Sequence, residues 1–290
     1  MAACTTAWLD GRFLPLAEAR ISPLDRGFLF ADAAYEVIPA YAGRPYRLEQ
    51  HLDRFDRSLR ELGIDRSLSR EDWHRVCGGL VARNGGGDLL VYLQVSRGTE
   101  EERRHVPSPA TAPTVFGMAS QLAPLPGDPA MRTTSAVTAP DIRWGRCDIK
   151  STALLANVLL KWQAEQRGAT EAILLRDGNL TEGSSSSVHV VLDGTLVTPP
   201  QSQALLPGTT RDVLLELAQR CGIACQARAV TAEELRGAQE IILGSAGGGL
   251  RAVTSLDGQP VGGAVAGPIF SVLYRAWIAS LAEFCTECPE

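Results

Sequence analysis

Asp141-Ile142-Arg143-Trp144-Gly145-Arg146-Cys147-Asp148-Ile149-Lys150-Ser151 runs directly into Thr152–Arg167, a stretch with a long apolar helical face, and Ser151 reads as the N-cap of that helix. Lys150 therefore stands on a chain reversal beside a helix start. Two readings fit a lysine there. One is a solvated surface charge. The other is an amine in a positively charged or partly buried pocket, where a lowered pKa lets it attack a carbonyl carbon.

Downstream of this stretch, strands are expected at Glu171–Arg176 and Val188–Leu192, turned by Asp177-Gly178 and Asp193-Gly194. A helix at Arg211–Cys221, a strand at Glu240–Leu243, the glycine-rich Gly244–Gly249 and a helix from about Pro268 complete the second half. Upstream, a strand at Arg132–Thr138 follows a proline-rich region, 106–130, densest at Pro124-Leu125-Pro126-Gly127-Asp128 and relieved by one strand near Thr114–Met118. Earlier still, residues 5–47 alternate short β-type runs with turns such as Asp10-Gly11 and Ala42-Gly43. An amphipathic helix over 48–62 ends at Gly63, a second covers 70–83 after the N-cap Ser69, and a strand follows at Leu89–Val95. The pattern is mixed α/β and predicts a small domain over 1–123, a linker over 124–130 and a larger domain over 131–290, without internal repeats.

Composition narrows the function classes. The 290 residues include 45% apolar and 21% charged ones, with apolar stretches interrupted by Arg, Asp or Gly, so neither disorder nor a membrane span is expected. The 28 basic and 33 acidic residues give a net charge of −5 with no basic stripe, which argues against a nucleic-acid partner. Met1-Ala2-Ala3-Cys4-Thr5-Thr6 lacks the basic start and apolar core of a secretory signal, so the expected location is cytoplasmic. Seven cysteines, an odd number without regular spacing, are expected to be thiols. Cys285 and Cys288 have CxxC spacing but no second Cys/His pair nearby, so no metal site is expected.

Other residues carry chemistry on one reading and plain structure on another. Glu182, in Asn179-Leu180-Thr181-Glu182-Gly183 ahead of Ser184-Ser185-Ser186-Ser187, is either part of a polar hairpin or a carboxylate that keeps a pyridine nitrogen protonated. Gly208-Thr209-Thr210 opens a helix, and a helix N-terminus offers N–H groups either to an anion or to an ordinary cap. Gly244-Ser245-Ala246-Gly247-Gly248-Gly249 forms a second nest of N–H donors or a flexible turn. In the helix over 48–62, Arg57 and Arg60 have acids four residues earlier, Asp53 and Asp56, whereas Arg54 has Gln50 and is either part of a solvated face or the helix arginine most free to meet a phosphate. Arg103-Arg104-His105, after Glu100-Glu101-Glu102, is a charged loop or a carboxylate trap.

Taken in order, the blocks Ser22–Phe30 with Tyr35-Glu36-Val37, Leu48–Arg54, Tyr92–Thr99, Arg143–Ser151, Thr181–Ser187 and Gly208–Asp212 resemble the fold-type IV pyridoxal-5'-phosphate (PLP) enzymes, and within them the D-amino-acid transaminases, across nearly the whole chain. The resemblance implies a small α/β domain and a larger β-barrel-like domain with helices, a homodimer, and ping-pong transfer of an amino group from a D-amino acid of the alanine or glutamate type to a 2-oxo acid. It implies Lys150 as Schiff-base lysine and proton shuttle, Glu182 on the pyridine nitrogen and Leu206 against the ring face. Arg54, Thr209, Thr210, Ser245 and Ala246 would hold the phosphate. Tyr35 with Arg103 and His105 would hold the substrate carboxylate, with Arg104 as a substitute.

The chain departs from the family pattern at three places. Only Val106 separates His105 from Pro107, where the pattern has two residues; Ala31-Asp32-Ala33 replaces Gly-Asp-Gly; and Gly244-Ser245-Ala246-Gly247 lacks the hydroxyl after Ser245. Ala246-Gly247-Gly248 and Ser255–Gly262 look more like the (R)-selective amine transaminases, which is the alternative activity. Branched-chain aminotransferase, aminodeoxychorismate lyase and a non-catalytic PLP or metabolite carrier are the remaining alternatives.

Overall fold

The computed structural model describes residues 4–64 and 68–286. Its backbone divides into two compact units, residues 4–124 with Ile149–Leu154, and Leu125–Asp148 with residues 155–286. The short segment that carries Lys150 thus groups with the N-terminal unit, although its sequence neighbours on both sides belong to the second.

In the first unit an antiparallel sheet runs in the order β2-β1-β6-β5-β3-β4. Its strands are β1 (Thr6–Leu9), β2 (Arg12–Pro15), β3 (Ala33–Tyr41), β4 (Arg44–Pro45), β5 (Leu89–Ser96) and β6 (Thr114–Gln121). Asp10-Gly11 and Ala42-Gly43 make the hairpin turns, with φ of 44° and 98° and of 49° and 82°, the left-handed pairs that match strand twist. Helices α1 (Arg26–Phe30), α2 (Leu48–Glu61) and α3 (Arg70–Arg83) complete the unit. Leu52, Phe55 and Leu59 of α2, Trp73, Val76 and Leu80 of α3, and Ile38, Val91 and Leu93 of the sheet form its core. Ser69 caps α3 by accepting from the Asp72 amide, as the sequence predicts.

The second unit holds a mixed sheet ordered β12-β11-β10-β13-β14-β7-β8-β9, with β15 pairing β14. These strands are β7 (Thr133–Pro140), β8 (Glu171–Arg176), β9 (Asn179–Gly183), β10 (Ser187–Leu192), β11 (Thr195–Thr198), β12 (Cys225–Ala227), β13 (Glu240–Ser245), β14 (Gly249–Leu256) and β15 (Gln259–Pro260). Four helices follow in chain order: α4 (Leu155–Gln166), α5 (Thr209–Arg220), α6 (Ala232–Arg236) and α7 (Pro268–Thr286). By length and a mean hydropathy of 1.2, α7 meets the criteria for a membrane-crossing helix, but its Phe270, Leu273, Tyr274, Trp277 and Leu281 are buried within the unit. Glu240 caps it from β13, accepting from the amides of Ile269 (2.9 Å) and Phe270 (2.7 Å). Of the terminal CxxC pair, Cys285 is an exposed thiol and Cys288 lies outside the described residues.

One local expectation fails. Ser151 is not a helix N-cap: it forms a β-bridge with Ala34, Thr152 donates its amide to Ala33 (3.0 Å), and α4 begins only at Leu155. Pairing with β3 outcompetes the helical propensity of the intervening residues. Asp53 and Asp56, expected to pair with Arg57 and Arg60 along their own helix, accept from Arg70 of α3 at 2.6 and 3.0 Å, tying α2 to α3.

Candidate active site

The backbone around Lys150 is pinned on two sides. Its carbonyl accepts from the Tyr35 amide of β3 (3.0 Å), and its own amide donates to the Ser58 hydroxyl of α2 (3.1 Å). The half-buried side chain places Nζ 4.2 Å from the centroid of the Tyr35 ring, which stacks on Tyr92 at 5.7 Å. A lysine so anchored, with its amine over an aromatic face, is a positioned group and not a mobile surface charge.

Next to Tyr35 on β3, the fully buried Glu36 gathers two side chains. Arg54 donates through Nε (3.0 Å) and Nη2 (2.6 Å), and His51 Nδ1 lies 3.0 Å away. Burial raises the Glu36 carboxyl, but Arg54 and His51 outweigh it and hold the group well below the ordinary range. Burial keeps His51 below its usual value against the pull of Glu36. Arg54 is therefore not the free arginine that its helix spacing suggests: it is buried and oriented by a bidentate carboxylate. Glu36 carried no predicted role, yet a carboxylate at the inward parity of Ala34, Ile38 and Ala40 was the available signal.

The substrate-trap candidates sit on the 97–113 connection between β5 and β6. Arg103, Arg104 and His105 are exposed. The Arg103 guanidinium lies 4.6 Å from the Phe30 ring centroid and the His105 ring 5.5 Å from it.

In the second unit, Glu182 is buried at the end of β9 and bonded to Arg143 Nη1, while its Oε2 accepts from the Leu206 amide at 3.2 Å. Leu206 and Glu182 are thus brought together. Arg143 also grips Asp141 in a fork, Nε to Oδ1 at 2.9 Å and Nη2 to Oδ2 at 2.8 Å, and donates to the Ala204 carbonyl at 3.1 Å. Burial pushes the Glu182 carboxyl up to about 6 against the pull of Arg143. The serines after Glu182 are held by Glu171, which accepts from Ser184 and, at 3.1 and 2.9 Å, from Ser185 and Ser186. Arg143 and Glu171 were not singled out from sequence; as charges in loop-like or strand contexts they carry no periodic signal.

Helix α5 begins with Gly208 as N-cap and no side-chain capping bond, with Thr209 and Thr210 as its first two residues. Its leading N–H groups are therefore not satisfied by a cap side chain. A Cβ on Gly244 would lie 3.1 Å from the Ser187 hydroxyl and 3.3 Å from Thr210 Cγ2, so the missing side chain lets the end of β13 approach the helix start and brings Ser245 beside it. The glycine-rich run is a tight hairpin between β13 and β14, in which Ser245 Oγ accepts from the Gly248 amide (3.1 Å) and Ala246 occupies the turn. Among the described residues no group of three or more His, Cys, Asp or Glu side chains is disposed to hold a metal.

Comparison with known proteins gives the class directly. The sequence profile of amino-transferase class IV matches residues 33–256, and the chain belongs to that family: it is an aminotransferase of fold type IV. It is 38% identical to the D-alanine aminotransferase of Bacillus licheniformis over 90% of this chain and 91% of that one, and 34% identical to the D-alanine aminotransferase of Listeria innocua over 96% and 97%. Its fold matches a T.th. branched-chain amino acid aminotransferase complexed with N-(5'-phosphopyridoxyl)-L-glutamate, with a TM-score of 0.88, 25% identity and coverage of 98% and 96%. A PLP-bound hypothetical aminotransferase from Mycobacterium tuberculosis gives a TM-score of 0.82 at 25% identity, covering 96% of this chain and 99% of that one.

Proposed function

We propose that this aminotransferase uses pyridoxal 5'-phosphate to move the amino group of a D-amino acid, of the alanine or glutamate type, to a 2-oxo acid. The observation that carries the reading is the Lys150 amine held 4.2 Å from the Tyr35 ring by a backbone bonded to both β3 and α2. Similarity to D-alanine aminotransferases over at least 90% of the chain supports the D-amino acid.

The residues fit the cofactor. The uncapped start of α5, with Thr209, Thr210, Ser245 and Ala246, supplies donors for a phosphate, and Gly244 leaves the space they need. Arg54, oriented by Glu36, adds the cation. Glu182 is a buried carboxylate whose desolvation an opposing protonated ring nitrogen would offset, and Leu206, whose amide it binds, would pack against the ring. When bound, the cofactor is an electron sink for the pair left behind as the α-proton departs.

The chain's own groups do the rest. Lys150 Nζ would be the amine that holds the cofactor's carbonyl carbon and, when free, the base that takes and returns the α-proton. Glu182 keeps the ring nitrogen protonated, and Arg143 keeps Glu182 ionised. Tyr35 with Arg103 and His105, or with Arg104 in their place, holds the substrate carboxylate and so sets which face of the α-carbon meets Lys150. The 2-oxo acid then enters the same site, and the steps reverse.

A homodimer is part of this proposal. Along α4, Leu155, Val158, Leu159 and Trp162 recur at helical spacing and are 73%, 59%, 38% and 56% exposed, an apolar stripe suited to a second copy of the chain.

The test is a half-reaction screen that follows the cofactor's visible band after adding D-alanine, L-alanine, D-glutamate, L-leucine and each enantiomer of 1-phenylethylamine. Bleaching by D-alanine or D-glutamate supports the reading. Response only to the (R)-amine would replace it with the amine transaminase, a reading favoured by the Ala246-Gly247-Gly248 turn. Response only to L-leucine would replace it with a branched-chain enzyme.

A further inference from the structure

The 97–113 connection contains no helix and only an isolated bridge, yet it must present Arg103 and His105 at fixed places if they are to grip a carboxylate. What fixes it is the start of α1. Asp25 closes the base of the loop by accepting from Ser96 at the end of β5 (2.8 Å) and from Thr114 at the start of β6 (2.7 Å). Gly98, at φ 107°, lets the two arms of the loop touch: a Cβ there would overlap the Ala112 carbonyl oxygen.

The next residue, Arg26, reaches into the loop. Its side chain is 5% exposed and donates through Nη1 to the Arg104 carbonyl (2.6 Å) and through Nη2 to the His105 carbonyl (2.9 Å). Nη1 also meets Glu100 Oε2 at 3.1 Å, and Nε meets Asp32 Oδ2 at 2.8 Å. Glu100 in turn accepts from the Ser108 amide (2.5 Å) and the Thr111 hydroxyl (2.9 Å) on the far arm. The backbone at 104 and 105 is thus held from inside while the side chains of Arg103, Arg104 and His105 remain exposed.

We infer that the buried Arg26–Glu100 pair is the positioning device of the substrate-carboxylate trap, and that it determines how strongly the enzyme prefers substrates bearing a carboxylate over amines that lack one. The inference rests on the proposed role of the 103–105 loop. A planar guanidinium is required, because only its fork reaches two successive carbonyls and two carboxylates at once. Arg26 acts through the loop backbone, by its bonds to the Arg104 and His105 carbonyls. A loop freed to move by about 1 Å costs on the order of 100-fold in a positioned interaction.

The test uses the cofactor-loaded protein and the variants Arg26→Lys and Arg26→Met, with Thr111→Val as a milder change that loosens Glu100 from the other arm. Hydrogen exchange of cofactor-free and loaded protein reads the loop directly: amides over 100–111 should exchange at least about 10-fold faster in the Arg26 variants while β3 and β5 keep their protection. KM for D-alanine should rise at least about 10-fold in both Arg26 variants, including the charge-conserving lysine, with kcat changed much less. Capture of the cofactor by aminooxyacetate, which carries a carboxylate, should slow by a similar factor, while capture by methoxyamine, which does not, stays within about 2-fold. Thr111→Val should show the same pattern at a few-fold amplitude.

Unchanged loop exchange and KM in the folded variants, or equal slowing with both capture reagents, would overturn the inference. Should Arg26→Met not fold, Arg26→Lys and Thr111→Val decide. A wild-type protein that favours D-alanine while the variants keep its KM refutes the inference alone. A wild type that shows no preference for carboxylate-bearing substrates refutes the substrate reading and the inference together.

Discussion

The Glu36 carboxylate of β3 and the Arg54 guanidinium of α2 form a buried bidentate pair, with contacts of 3.0 and 2.6 Å. Removing the charge in Glu36→Gln deprives the buried Arg54 of its bidentate carboxylate, and urea unfolding should show a loss of about 3 kcal/mol. The pair also sets a pH dependence. Because the folded-state pKa of Glu36 lies below its ordinary value of 4.5, its contribution is complete above that value and is lost as pH falls below it. Between about pH 6 and pH 3.5 the wild type should lose about 1 kcal/mol more stability than Glu36→Gln. Equal losses in the two proteins would contradict the pairing.

Glu182 predicts the opposite sign. Burial raises its carboxyl to about 6, so in cofactor-free protein its contribution is complete below about pH 4.5 and is lost as pH rises through about 6. Thermal unfolding of the cofactor-free protein at pH 5 and pH 7 should therefore show a decline in the wild type, of up to about 2 kcal/mol in stability, that Glu182→Gln lacks. In the loaded enzyme the same substitution should lower turnover on the order of 100-fold, since the carboxylate facing the ring nitrogen is gone.

Ala31 caps α1 in the left-handed region, at φ 55°, where the resembling family has glycine. An L-residue pays about 1–2 kcal/mol there, and glycine returns part of that through the greater entropy of its unfolded chain. Ala31→Gly should be neutral or stabilising by up to about 1 kcal/mol in chemical denaturation. Clear destabilisation would show that the Ala31 methyl makes a packing contact of its own.

At Gly249 both conformation and space demand glycine. Its φ is 62°, and a Cβ would overlap the Trp277 ring of α7. Gly249→Ala should cost about 3 kcal/mol from the two causes together and weaken phosphate or cofactor binding, because the hairpin that carries Ser245 and Ala246 must shift. Calorimetric titration with the cofactor reads the second effect separately from the first.

The elements with strong local signals were legible in the sequence: the apolar period of α2, the Ser69 cap of α3, and the Asp177-Gly178 and Asp193-Gly194 turns, at φ of 51° and 76° and of 48° and 74°. Leu206 and Glu182, named from the order of the blocks, meet in the structure. What long-range pairing decides was not legible. Ser151 looked like a cap because its partner Ala34 lies more than a hundred residues away, and Arg54 looked free because Glu36 is on another element. Arg26 and Arg143 fall within blocks that carry the resemblance, but local sequence does not show that their guanidinium forks gather carboxylates and carbonyls from separate segments.

The proposed chemistry depends on Lys150, and it is tested by the transamination rate of purified Lys150→Ala with D-alanine and a 2-oxo acid, at saturating cofactor and with the fold checked by circular dichroism. Turnover should fall by at least about 10⁴-fold, with partial recovery by added primary amines that substitute for the missing Nζ. A folded Lys150→Ala protein that transaminates D-alanine at the wild-type rate would contradict it.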